Sequence, residues 1–275
     1  MTLTETAYAK INLALHVRGR RDDGYHLLET LFAFAEDGDV LTAEPSAHLS
    51  LTISGPFSDA LAGGADNLVL QAATGLQKML KTQQGATIHL DKRLPVAAGI
   101  GGGSADAATV LRLLPRLWGL APDREDLQQL AASLGADVPA CIASQTVRGE
   151  GVGDILTPVH ASDLSGLPLL LVNPGIPCPT GPVFKAWDGV DRGPLATGSP
   201  LAAALAGRND LQGPASAIIP EIGEICASLE SRNTALISRM SGSGATCFAI
   251  FESDEALADA SETMRPYWHL ATRLR

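Results

Sequence analysis

Residues 95–108 read PVAAGIGGGSADAA, and this stretch decides the fold and the chemistry. Glycine lets a backbone turn through positive φ and leaves no Cβ in the way of a ligand. A glycine-rich loop that opens a helix offers an anion its unpaired N–H groups and the positive end of the helix dipole, and pyrophosphate is the obvious guest. The plainer alternative is a flexible linker or a tight turn. The helix that follows weighs against it. Residues 104–114 hold three alanines behind a capping-type Ser104, and Pro115 is expected to kink or stop that helix. The loop is not a Walker A sequence, because G-x-x-x-x-G-K-[ST] is absent. Gly99-Ile100-Gly101 begins like a dinucleotide fingerprint, but the last glycine position is Ser104 and no acidic residue closes a βαβ unit about 20 residues on. A dehydrogenase is therefore disfavoured.

Residues 7–17 alternate as a strand. Ala7, Ala9, Ile11, Leu13, Leu15 and Val17 share one face, and Tyr8, Lys10, Asn12, Ala14 and His16 share the other. Lys10 and Asn12 thus point the same way. Asp22-Asp23-Gly24 signals a turn, followed by Tyr25-His26. Further strands are expected at 49–53, 86–90, 169–172 and 247–251, and further helices at 67–80 and 125–134, the latter closed by Gly135. Residues 173–200 are rich in Gly and Pro and read as irregular. Strands mix with helices without regular βαβ repetition, so the fold class is α+β, with a weak boundary near 155–170.

The bulk properties bound the function. The chain has 275 residues, 45% of them apolar, enough for one large domain or two modest ones. No apolar run approaches a membrane span, and the start MTLTETAYAKINLAL lacks the pattern of a secretory signal, so a cytoplasmic enzyme is expected. The net charge of −10 argues against a nucleic-acid partner; Arg18-Gly19-Arg20-Arg21, the densest basic stretch, reads as a solvated turn. An acidic protein that binds polyphosphate needs a confined site and a cation, which points to Mg²⁺. Cys141, Cys178, Cys226 and Cys247 form no C-x-x-C pair and read as reduced, mostly buried thiols. His16, His48, His89, His160 and His269 show no metal-ligand spacing.

GIGGGSADAA resembles the phosphate loop of the GHMP kinases. AYAKINLALHVRGRRDDGYHLLETLF, LGADVPACI, EGVGDILTPV and MSGSGATCFAIF extend the resemblance from near residue 7 to near 251, and narrow it to the branch whose acceptor is a cytidine-diphosphate conjugate in the non-mevalonate isoprenoid route. Three places depart from the pattern: Ala97-Ala98 where glycine is frequent, Asp154 where Glu is usual, and Ala140-Cys141 where larger apolar residues are common.

The resemblance implies a ribosomal protein S5 domain 2-like N-terminal half, residues 1–160, and a ferredoxin-like C-terminal half, residues 161–275. It implies ATP as co-substrate with Mg²⁺, a small-molecule acceptor, and a monomer or homodimer. ATP would be bound by Val96, Ala97, Ala98, Gly99, Ile100, Gly101, Gly102, Gly103, Ser104, Ala105 and Asp106, with Asn67 and Lys92 at the adenine end and Ser104 assisting the metal. Asp137 would be the catalytic base, and Lys10 its catalytic partner. Asn12, Tyr25, His26 and Phe184 would hold the nucleotide end of the acceptor, the aromatic faces stacking on a pyrimidine. Two alternatives stay open: a GHMP kinase acting on homoserine or mevalonate, and a catalytically silent binding protein of the same fold. Neither needs the full set, since a small hydroxy acid needs no stacking platform and a silent protein needs no Lys10 with Asp137.

Overall fold

The computed structural model describes residues 1–61, 67–231 and 234–275. The chain divides into two compact units, each built from separate segments. The first comprises Met1–Ala9, Asp37–Val96 and Gly101–Ser144; the second comprises Lys10–Glu36, Ala97–Ile100 and Gln145–Arg275. Two long strands, β1 (Leu3–Arg20) and β2 (His26–Ser46), contribute residues to both units.

In the first unit β2 pairs antiparallel with β4 (Gly85–Asp91), from Val40 opposite Asp91 to Ser46 opposite Gly85. β3 (Leu49–Ser54) pairs parallel with β4. Its helices are α1 (Leu68–Leu80), α2 (Gly102–Trp118), α3 (Arg124–Leu134) and α4 (Val138–Ala143). α2 carries the core: Ala107, Ala108, Val110, Leu111 and Leu114 are fully buried. The helix starts two residues before Ser104 and runs through Pro115 to Trp118, which corrects both expected ends. Gly101, in the left-handed region at φ 62°, starts it in place of Ser104. Pro115 removes one backbone bond, but Trp118 is buried and its indole N–H donates to Gly85 O at 3.1 Å, so packing holds the last turn where local propensity would not.

The second unit pairs β2 with β5 (Val147–Glu150), and β5 with β6 (Ile155–Pro158). It also contains a separate four-stranded antiparallel sheet of β7 (Pro168–Asn173), β8 (Ala235–Met240), β9 (Cys247–Phe251) and β10 (Trp268–Arg273), in the order β10-β7-β9-β8. Between β7 and β8 lie α5 (Thr180–Lys185), α6 (Pro200–Ala206), α7 (Gln212–Ile218) and α8 (Pro220–Glu230); α9 (Asp254–Thr263) joins β9 to β10. A middle pair of strands flanked by helical crossovers is the ferredoxin-like order. Leu170, Val172, Ala249 and Phe251 pack on Ile222, Ile225, Leu229 and Leu257 to form its core. α5 is a short helix inside the stretch expected to be irregular. The four cysteines are buried thiols, with the sulfurs of Cys226 and Cys247 3.3 Å apart. No helix of the described residues is long and apolar enough to cross a membrane.

Candidate active site

The strand expected to present Lys10 and Asn12 on a polar face does present them together, but the face is buried. Lys10 and Asn12 are each 3% exposed. Lys10 Nζ donates to Asn12 Oδ1 at 3.0 Å and lies 4.7 Å from the centre of the Phe32 ring. The amide of Asn12 donates in turn to Thr30 Oγ1 at 2.8 Å, and that hydroxyl donates to Ala14 O at 2.7 Å. Neighbouring strands therefore fix the amide, and the amide oxygen and the ring face fix the ammonium.

A second glycine-rich turn, Gly242-Ser243-Gly244 after β8, lies against this strand and the loop. Ser241 Oγ donates to Gly99 O at 2.9 Å and accepts from the backbone N–H of Asn12 at 3.1 Å. Thr246 N donates to Ala98 O, and Lys10 N to Ile100 O, both at 3.0 Å. At Gly99, with φ 75°, a Cβ would fall 2.6 Å from Ser241 O and 2.7 Å from Gly244 O. Glycine is required there for close backbone approach. Residues 98–100 are thus docked on β1 and on the turn after β8, with the Ala98 and Ile100 side chains buried. Ser241 and Thr30 were missed by sequence reasoning.

The exposed part of the loop is Val96 and Ala97, and exposure returns at Gly103, in the first turn of α2. A Cβ at Gly103 would meet only Leu68, at 3.6 Å. The helix N-terminus with its N–H groups is thus open to a polyphosphate. Ser104 lies in that first turn and is half-buried; Ala105 and Asp106 are buried behind it. Lys92, at the end of β4, is 1% exposed, and its ammonium donates to Asp39 Oδ2 (2.6 Å) and Asp106 Oδ2 (2.7 Å). Burial pulls the Lys92 pKa down, but the two carboxylates outweigh it and hold it above its usual value. Burial pushes Asp106 up, Lys92 draws it down and Asp39 pushes it up again, leaving it at about 7. Asn67 caps α1, its Oδ1 accepting from Val69 N at 2.9 Å.

Asp137 sits at the start of α4, half-buried, with Pro139 two residues on. α4 is tied to α2 through Arg112, whose guanidinium donates to Cys141 O (2.7 Å) and to Thr109 Oγ1 (3.0 Å) and is paired with Glu5. The helix that the glycine loop opens therefore also holds the helix that Asp137 begins. Lys10 belongs to the second compact unit and Asp137 to the first.

Of the residues expected to hold the nucleotide end of the acceptor, two meet directly. The rings of His26 and Phe184 are 5.1 Å apart and tilted by 39°, and Trp187 meets His26 edge-on at 5.6 Å. Trp187 was missed; its indole N–H is buried with no hydrogen-bond partner among the described residues. Burial and Arg20 lower the His26 pKa, which favours a neutral ring able to donate from one nitrogen and accept at the other. Tyr25 is 65% exposed at the edge of the Asp22–Gly24 turn. Among the described residues no group of three or more His, Cys, Asp or Glu side chains is arranged to hold a metal ion.

Two family models match the chain: the GHMP kinases N terminal domain over residues 67–145 and the GHMP kinases C terminal domain over residues 196–269. A 4-diphosphocytidyl-2-C-methyl-D-erythritol kinase of Rhizorhabdus wittichii is 60% identical over 278 residues, covering 99% of this chain and 94% of the relative. The kinase of the same description from Novosphingobium aromaticivorans is 52% identical, covering 98% and 91%. A crystal structure of 4-(cytidine 5'-diphospho)-2C-methyl-D-erythritol kinase superposes with a TM-score of 0.84 at 35% identity over 99% of each chain.

Proposed function

This chain belongs to the GHMP kinase family, and from that premise we infer that it is the ATP-dependent kinase that phosphorylates the 2-hydroxyl of 4-(cytidine 5'-diphospho)-2-C-methyl-D-erythritol in the non-mevalonate isoprenoid precursor pathway. The observation that carries the reading is the 60% identity to a kinase of that description over essentially the whole chain. The substrate hydroxyl oxygen attacks the γ-phosphorus, the bond to the β-phosphate oxygen breaks, and ADP leaves. Asp137 takes the hydroxyl proton, a contribution of about 10²–10⁴ in rate for a placed general base. The Lys10 ammonium offsets charge on the phosphoryl group in transit. The N–H groups at the start of α2 hold the phosphates, with the loop residues 96–103 around them and Asn67 at the adenine end.

Mg²⁺ keeps most of its water and binds through substrate phosphates, needing only one or two protein oxygens. The residues present fit that demand: Ser104 offers a hydroxyl in the first turn of α2, and no caging cluster is required. When bound, the ion would neutralise phosphate charge. On the acceptor side, the rings of His26, Phe184 and Trp187, with Tyr25 and Asn12, provide aromatic faces and a neutral imidazole suited to a pyrimidine. That platform favours the cytidylated acceptor over homoserine or mevalonate. Action in the cytoplasm and the division at residue 160 are part of this reading.

The test is ADP release with Mg²⁺-ATP and three acceptors in parallel: the cytidylated methylerythritol, homoserine and mevalonate. Turnover with the cytidylated acceptor alone is expected. Turnover with another acceptor would discard the stacking role of Tyr25 and its neighbours, and silence with all three would discard the kinase reading.

A further inference from the structure

Asp39 is fully buried, belongs to no part of the proposed chemistry, and makes three hydrogen bonds to one short segment. Its Oδ2 accepts from Lys92 Nζ at 2.6 Å. Its Oδ1 accepts from the backbone N–H of Arg93 at 2.6 Å and of Leu94 at 2.9 Å. These are the last residues before the glycine loop. On the far side of the loop, Asp106 of α2 accepts from the same ammonium at 2.7 Å. A Cβ on Gly102 would stand 3.1 Å from Lys92 Nζ and 3.6 Å from Asp39 Oδ2, so the first turn of α2 closes directly onto the pair. The entry and exit of the loop are therefore joined through a single buried cation.

This is an expensive way to hold a fold together. Two carboxylates and one ammonium are desolvated, and apolar side chains of similar volume would stabilise as well or better. Asp106 Oδ1 is buried with no hydrogen-bond partner among the described residues. What the arrangement supplies instead is geometry. Charged hydrogen bonds of this length fix direction as well as distance.

We propose that Asp39 is a positioning residue for ATP binding: through Lys92 and the two loop-entry amides it sets the spacing between the end of β4 and the start of α2, and so pre-shapes the phosphate loop. The inference rests on the kinase reading. Asp39 touches no substrate; it acts through the loop. Asp39→Asn keeps an acceptor for the two amides and loses the ion pair with Lys92. Asp39→Ala loses both.

The test measures KM for each substrate, Mg-ADP affinity by titration, and amide hydrogen exchange. Asp39→Asn is expected to raise KM for ATP about tenfold, and Asp39→Ala more, with KM for the acceptor changing by less than about twofold. Mg-ADP affinity should fall in step, and the amides of residues 93, 94 and 102–106 should exchange faster in both variants. Equal rises in both KM values would make Asp39 a general structural residue and overturn the proposal. So would an unchanged KM for ATP, or variants that melt below the assay temperature. If the wild-type enzyme turns over no acceptor, the kinase reading fails by itself, and the Mg-ADP titration and exchange still decide the role of Asp39.

Discussion

Lys10 and Lys92 are both buried lysines, and the protein orients them with different groups. Lys92, in the first compact unit, is held between the carboxyl groups of Asp39 and Asp106. Lys10, in the second, is oriented by an amide oxygen and the face of an aromatic ring. Both contacts direct the ammonium. Burying an ammonium is costly unless something offsets it, so each arrangement marks a purpose. Carboxylates around Lys92 make it a fastener. The amide oxygen and the ring face beside Lys10 aim its ammonium, which suits the role proposed for it on a phosphoryl group.

A crossed pair of substitutions tests the contrast most severely. Lys92→Met would leave Asp39 and Asp106 facing each other in a buried site without their counter-ion. Loss of one member of a buried ion cluster costs about 3–5 kcal/mol, and a denaturant titration should read that loss. Lys10→Met keeps the length of the side chain and removes the donor to Asn12 Oδ1. Its stability should fall by roughly 1–2 kcal/mol, while kcat falls about 10²–10³-fold, the usual size for a group stabilising transition-state charge. Wild-type stability in the first variant, or near-normal kcat in the second, would erase the distinction.

The sequence made one side of this contrast far more legible than the other. Alternation over residues 7–17 put Lys10 and Asn12 on one face, and the glycine loop announced α2, because both signals are local. The burial of that face was not legible, since it depends on Thr30, Phe32 and Ser241, which come from distant strands and turns. Asp39 was invisible for a different reason. It lies in Glu36-Asp37-Gly38-Asp39, a run of acids that reads as a solvated turn, yet only its last acid is buried. A faint signal existed in Gly38, where a Cβ would come within 1.9 Å of Ala7 O, a close backbone approach that a surface turn does not need. Trp187 hid in a Gly- and Pro-rich stretch that reads as irregular, and Pro115 misled because tertiary packing overrode a helix-breaking residue.

A smaller effect would sharpen the account of Lys92. With its carboxyl raised to about 7 by burial, Asp106 stays protonated in the native protein at pH values where the unfolded chain has already lost that proton. Between about pH 4 and pH 7 the native state then binds more protons at this site, so the contribution of Asp106 to stability declines as pH rises through that window. Lys92 and Asp39 are the charged groups facing it, and both remain in Asp106→Asn. The stability of that variant relative to wild type should therefore increase from pH 4 to pH 8, on the order of 2 kcal/mol. A difference that stays flat with pH would show that Lys92 keeps Asp106 ionised throughout, and that the ammonium serves both carboxylates equally.

The finest test concerns the loop that Lys92 anchors. Ala97 has φ 53°, in the left-handed region, at a position where the family often has glycine. An alanine there is strained by about 1 kcal/mol, and glycine would relieve the strain while giving the unfolded chain more freedom to lose. Lys81, with φ 51° at the end of α1, is the control, because a left-handed residue there merely caps a helix. Ala97→Gly and Lys81→Gly should each gain about 0.5 kcal/mol or less in thermal stability. They should differ in ATP binding. Glycine at 97 adds an unconstrained residue to the exposed part of the phosphate loop, so KM for ATP should rise about twofold, whereas Lys81→Gly leaves it unchanged. If both variants bind ATP as wild type does, the strained alanine contributes nothing to the shape of the loop, and its order comes entirely from the anchors at its two ends.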